Sequence, residues 1–146
     1  MKKLHNIRLF GLILLLAGCT SNKSITALHN ALYFKDSPVI ATTSNRYFLR
    51  FRYSDDVNAL RYYMSTSSEI RNDTLIFYIP ATSSTSNVSG QLQFEEIITQ
   101  EKINGIKHKN VYWQEPDGTL SAMNIEPLNE EELLIIKNQT SKRLKH

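Results

Sequence analysis

A single cysteine among 146 residues is the tightest constraint on this chain. With one thiol no intrachain disulfide can close, so the fold must be held by apolar burial and hydrogen bonding. The same count excludes a Cys-rich metal site. That cysteine, Cys19, is not embedded in a folding pattern. It stands directly behind a basic start and an apolar run, where chemistry on the chain's own terminus is decided.

Lys2, Lys3 and Arg8 form the basic start, and Leu9 to Ala17 is apolar except for Gly11. A bilayer-spanning helix needs about 20 residues, so this run suits the apolar part of a secretory signal instead. It closes on Leu16-Ala17-Gly18-Cys19, which resembles the lipobox of bacterial lipoproteins. The resemblance covers only about the first twenty residues. It implies that the Cys19 thiol is alkylated by a diacylglyceryl group, that the chain is cut before Cys19, and that the new amino group is acylated. The plain alternative is an ordinary signal peptide with an incidental cysteine, or an uncleaved anchor. Two or three acyl chains hold a protein firmly where one holds it marginally. Thr20 follows the cysteine rather than the aspartate that resembles an inner-membrane retention signal. In a Gram-negative cell the expected location is therefore the outer membrane, facing the periplasm.

Removing residues 1–18 changes the charge argument. The whole chain has 17 Lys+Arg against 14 Asp+Glu, and the leader takes three basic residues and no acidic one. The remaining 128 residues are balanced at 14 against 14, so the basic character belongs to the leader and gives no support to nucleic-acid binding. A lipidated Cys19 also removes thiol-redox chemistry and cysteine-nucleophile catalysis. The length suits one domain with a real core.

After a polar tether over 19–24, Ile25, Leu28 and Leu32 recur at helical spacing, with Ser24 as a candidate N-cap and Lys35-Asp36-Ser37-Pro38 as the stop. Tyr47, Leu49, Phe51 and Tyr53 then alternate with Arg46, Phe48, Arg50 and Arg52, which predicts a strand with a core face and a basic face. Residues 59–65 read as a strand, or as a helix capped by Ser54; the paired tyrosines favour strand. Arg71-Asn72-Asp73 predicts a turn between a weak strand near 67–70 and a strong one at 74–79. The latter is apolar on both faces and so central. Residues 81–89 read as a polar surface loop.

Residues 91–103 are again ambiguous between strand and helix, with strand preferred, and Gly105 is expected at positive φ as a hairpin turn or helix cap. Val111 to Glu115, Pro116-Asp117-Gly118 and Thr119 to Ile125 form a strong hairpin signal. At the end, Asn129 and Glu132 predict a capping box, and Leu128 with Leu133 a hydrophobic staple, for a C-terminal helix before a basic tail over 141–146.

The expected architecture is one mainly β domain over 25–140. It is an antiparallel sandwich or partly open barrel, with a short N-terminal helical segment and a C-terminal helix. An α+β form is the alternative if 55–64 or 92–103 are helical.

Chemistry-bearing motifs are sparse. The mature chain contains no nucleophile elbow, zinc-binding helix motif or phosphate loop, and His29, His108 and His146 are far apart. Adjacent carboxylates at 55–56 and 95–96 read as turn chemistry and solvated charge. The candidate binding residues are the arginine stripe, Arg46, Arg50 and Arg52, extended by Arg61 or Arg71, and the neighbouring Tyr112 and Trp113, one core and one an exposed anchor. Trp113 is the residue chosen as the binding anchor. The ordinary reading of the stripe is a solvated sheet face with cross-strand salt bridges. Neither cofactor nor metal is implied.

The function expected from these features is that of a membrane-anchored, non-enzymatic envelope lipoprotein acting by protein–protein contact. An assembly accessory, an inhibitor and an immunity-type protein all fit that description. A carrier of a small ligand, lipid or cell-wall fragment is the alternative, and an enzyme centred on His108 comes third.

Overall fold

The computed structural model describes residues 30–63, 65–80 and 88–143. Cys19, the tether and His29 lie outside them, as do Met64 and most of the 81–89 loop. The described chain forms two four-stranded sheets with a C-terminal helix, the β-rich sandwich expected from the sequence.

The first sheet is built on β1 (Phe34–Thr42) and β2 (Tyr47–Tyr53), which pair antiparallel through the turn at 43–46. On one side β2 pairs antiparallel with β5 (Leu92–Ile97), and on the other β1 pairs parallel with β8 (Ile125–Pro127). The second sheet runs β3 (Ser67–Arg71), β4 (Thr74–Tyr78), β6 (Val111–Gln114) and β7 (Leu120–Ala122). In it β4 and β6 are parallel and the outer pairs antiparallel. The strong 74–79 segment is indeed an interior strand, with Leu75, Ile76 and Phe77 all buried.

Strand alternation makes the core. Leu49, Phe51 and Tyr53 of β2 face inward with Phe34 and Ile40 of β1, and meet Leu75, Phe77, Val111 and Trp113 from the second sheet. The Phe34 ring is the hub, with the rings of Phe51, Tyr63 and Trp113 centred 5.1, 5.8 and 5.6 Å from it. With Tyr33 and Tyr53 it has five aromatic neighbours in tilted or edge-on contact, which concentrates apolar burial around one side chain.

The short helices correct several expectations. α1 (Asn30–Tyr33) ends before Lys35-Asp36-Ser37-Pro38, and those four residues belong to β1. The register slips between Phe34 and Asp36 and again between Asp36 and Val39, so β1 carries two successive bulges. Pro38 explains the second: it has no N–H to give a ladder and is tolerated in a strand at a bulge. Residues 59–63 and 65 are not in a strand. α2 (Val57–Leu60) is capped by Asp56, whose Oδ1 accepts the Asn58 N–H at 2.9 Å, while Ser54 Oγ instead accepts the Asp56 N–H. A local side chain that satisfies orphan helix donors outweighed the β propensity of the tyrosines.

The 91–103 ambiguity resolves by division: β5 takes 92–97 and α3 (Gln100–Lys107) follows. Gly105 is therefore inside a helix and not at positive φ. Its lack of a side chain serves packing, since a Cβ there would come within 3.1 Å of the Leu75 Cβ. The helix closes instead with Lys109 in the left-handed region (φ 55°) and the Asn110 N–H donating to the Gly105 carbonyl at 2.9 Å. The expected hairpin at 116–118 is present, with Gly118 at φ 88°. Its second strand breaks at Met123-Asn124: the Met123 N–H donates to Val111 in the second sheet, and the Asn124 carbonyl accepts from Ile40 in the first. One bent segment thus stitches the two sheets together, as corner strands of sandwiches do.

Tyr63 lies in this core with its hydroxyl enclosed and, among the described residues, without a partner at good hydrogen-bond geometry. Burial raises its pKa well above the ordinary tyrosine value, with the nearby Tyr53 adding to the shift and the Thr66 backbone opposing it. A raised folded pKa on an acid means that folding loses stability as pH climbs above about 10, where the unfolded tyrosine ionises. Tyr63→Phe is expected to leave stability unchanged or raise it by about 1 kcal/mol, because it removes an unsatisfied buried group. It should also move the alkaline unfolding limb to higher pH. Denaturant titrations at pH 7 and above pH 10 check both; a clear loss at pH 7 would contradict the unpartnered hydroxyl.

Candidate functional site

The arginine stripe lies on the outer face of the first sheet, and that face is not open. α4 (Glu130–Arg143) lies across it, with Ile136 packed on Ala41, Phe48 and Phe94 to make a second, smaller core. The helix begins as expected: the Glu132 N–H donates to Asn129 Oδ1 at 2.9 Å and the Asn129 N–H to Glu132 Oε2 at 3.1 Å. This reciprocal pair satisfies two backbone donors that a helix start leaves free. The helix backbone continues to Arg143, three residues into the segment read as a tail.

Glu132 has a second task that its sequence spacing did not signal. Its other oxygen, Oε1, accepts from Arg50 Nη1 at 2.7 Å, while Arg50 Nη2 donates to Glu126 on β8. One carboxylate therefore fixes both where α4 starts and how it docks on the sheet. The Arg50 and Glu132 side chains are only 20% and 10% exposed, so this pair is shielded from solvent screening in a way surface pairs are not. Glu132→Gln keeps the cap acceptor and removes the charge. It is expected to cost about 1.5–3 kcal/mol, the usual range for a charge-assisted hydrogen bond. Urea unfolding of the two proteins measures this, and a change within error would mean that Glu126 alone holds Arg50.

Arg46 is committed as well. It donates from Nε and Nη2 to both oxygens of Glu96 at 2.7 and 2.8 Å, with its guanidinium carbon 4.9 Å from the Phe48 ring centre. The hydrogen bond from Arg46 lowers the Glu96 pKa, against the opposing effect of partial burial. The pair's stabilisation is therefore present above the ordinary carboxylate range and lost as pH falls through the lowered folded value. Both side chains are close to half exposed, so solvent screening keeps the contribution small.

Arg52 differs from both. Its one hydrogen bond among the described residues is a long 3.4 Å donation to the Gly90 carbonyl, and no carboxylate pairs with it there. It lines an open groove of about 410 Å³ with Asp36, Ser37, Asn124 and the Arg50–Glu126 pair. The two bulges of β1 shape this groove by lifting residues 35–38 out of regular register beside Arg52, the ladder partner of Asp36. The Asp36 carboxylate is exposed and makes no ion pair among the described residues. Of two guanidiniums and three carboxylates at the groove, Arg50, Glu126 and Glu132 satisfy one another. Arg52 and Asp36 remain, one of each sign, facing solvent.

Trp113 does not join this site. It is the core member of its pair, 3% exposed between the sheets, while Tyr112 on the opposite face is half-buried. As an exposed anchor Trp113 is therefore corrected: the neighbouring β4 strand places its ring beside Phe34 instead. Trp113 does border a second groove of about 340 Å³ with Ser37, Glu115, Asp117 and Thr119. Ser37 lines both grooves, so the bulged segment divides them. Arg61 and Arg71 are exposed, with Arg71 paired to Glu69 on its own strand. His108 ends α3 and lines neither groove, and among the described residues no three metal-binding side chains gather.

The sequence reading missed Asp36, Glu126, Asn124 and the bulge. Pro38, directly before the β-branched pair Val39-Ile40, was the available signal, because proline in a strand marks a bulge or an edge. Comparison with known proteins finds no family model, no curated protein and no solved structure that matches this chain.

Proposed function

We propose that this chain is a lipid-anchored envelope lipoprotein that acts by contact with another protein, as an assembly accessory, an inhibitor or an immunity-type factor. The lipobox-like leader supports the anchor, through Cys19, and the outer membrane facing the periplasm is the location it favours. The observation that carries the contact role is Arg52. A bidentate donor that meets no carboxylate among the described residues, beside an Asp36 that makes no ion pair among them, in an open polar groove, is suited to a partner surface offering a carboxylate and a cationic or amide donor. The ligand-carrier alternative draws less support, because Phe34, Phe51, Tyr63 and Trp113 fill the space between the sheets.

Photo-crosslinking tests this reading. A photoreactive residue at Ser37, on the rim of the groove, should give a discrete adduct in intact cells, and Arg52→Glu in the same chain should reduce its yield about tenfold or more, the loss expected when a charge-assisted pair becomes a repulsive one. Unchanged circular dichroism and thermal midpoint would show that the variant folds. No adduct, or a yield indifferent to Arg52→Glu, would remove the groove as a contact surface.

A further inference from the structure

The described residues expose eight large apolar side chains, and three of them gather at one end of the sandwich: Leu32 on α1, Val57 on α2, and Tyr62 just after α2, at 46%, 53% and 42% exposure. α1 and α2 pack on each other there, tied by the Ser54 N–H donating to the Tyr33 carbonyl at 2.7 Å. Tyr33 and Tyr63, the chain neighbours of Leu32 and Tyr62, turn inward with ring centres 5.6 Å apart. The same two short segments thus supply core on one side and apolar surface on the other. The largest remaining outliers lie elsewhere: Ile98 follows the far end of β5, and Leu134 is on α4.

This is also the end at which the described chain begins, and Asn30 is only eleven residues on from Cys19. Even fully extended, that length reaches at most about 40 Å. We infer that the α1–α2 end of the domain rests on the surface of the bilayer that holds Cys19, with Leu32, Val57 and Tyr62 entering the headgroup region. The inference rests on the lipid-anchor reading above.

Three observations fit a lipid surface. The side chains are two aliphatics and a tyrosine, the combination that places an apolar body inward and a hydroxyl at the headgroups. Local charge is balanced, with Lys35 and Arg61 against Asp55 and Asp56, so anionic lipid does not repel this end. Tethering makes the contact intramolecular, so a patch too small to recruit a free protein still binds when held at high effective concentration. Docked in this way, β1 and β2 run away from the membrane. Their far turn at 43–46 stands about 25 Å further out, from the rise of a strand over the length of β1.

The test uses the full, processed chain in vesicles of phosphatidylethanolamine and phosphatidylglycerol with brominated acyl chains. Cysteines introduced as Val57→Cys or Ser44→Cys carry a fluorescent label, and the modified Cys19 does not take it. Bromine should quench the label at 57 about threefold more than the label at 44, given burial of only 5–10 Å at the acyl boundary. Adding Leu32→Ser and Tyr62→Ser should bring that ratio towards one. A ratio near one in the unmodified patch, or a ratio that survives the two serines, overturns the docking. Mass measurement of Cys19 in the same sample separates the two readings. An acylated chain with a ratio near one overturns the docking alone, and a chain without acyl groups overturns the anchor together with it.

Discussion

Phe34→Ala is expected to cost about 3–5 kcal/mol, most or all of the stability of a domain whose total lies in the range of roughly 5–15 kcal/mol. Phe34 is the first residue of β1 and its side chain is almost fully enclosed, in ring contact with Tyr33, Phe51, Tyr53, Tyr63 and Trp113. Those partners come from both sheets and from the segment after α2, so no small shift of one element can close the space that alanine would leave. Part of the cost is lost transfer energy and part is the unrelaxed cavity. A thermal midpoint lower by roughly 10–25 °C is the corresponding observation. Phe34→Leu, which keeps most of the volume, should lose less than half as much. A drop of only a few degrees for the alanine variant would mean that the two sheets do not meet through this ring.

Cys19→Ser should leave the midpoint where it is and move the protein from the membrane fraction to the soluble one. Cys19 is the chain's single cysteine, so there is no intrachain disulfide to lose. On the proposed lipid anchor, two or three acyl chains at about 0.8 kcal/mol per buried methylene would make attachment effectively complete, so their removal should be equally complete. Acyl labelling, fractionation and the molecular mass of the mature chain read the result together. Continued acylation of the serine variant would refute Cys19 as the anchor, and an altered midpoint would show that the leader region takes part in the fold.

Elements defined by local pattern were legible in the sequence. The alternating run at 46–53, the doubly apolar strand at 74–79, the 116–118 turn and the Asn129–Glu132 box each carry their signal within a few residues, because side-chain period and capping chemistry are local properties. The failures share a cause. Residues 59–65 have strand-like composition, but the Asp56 cap places Ala59 and Leu60 in a helical turn. Gly105 looks like a turn glycine, and it instead sits where α3 packs closely on Leu75, thirty residues away in sequence. Which of Tyr112 and Trp113 faces the core depends on the parallel pairing of β6 with β4, which no local pattern encodes.

The arginines separate the two levels most clearly. Period-two spacing puts Arg50 and Arg52 on one face of β2 whatever the rest of the chain does. Their different fates come from distant segments: β8 and the start of α4 bring Glu126 and Glu132 to Arg50, from positions 76 and 82 residues further along. The bulges of β1 hold Asp36 near Arg52 without pairing them. The single cysteine, the charge balance of residues 19–146 and the lipobox-like leader follow from residue identity and order, which need no third dimension. Which guanidinium is spent on the fold and which meets no carboxylate among the described residues is a matter of long-range pairing. Contacts between residues far apart in sequence exist only once the sheets and α4 have closed around them.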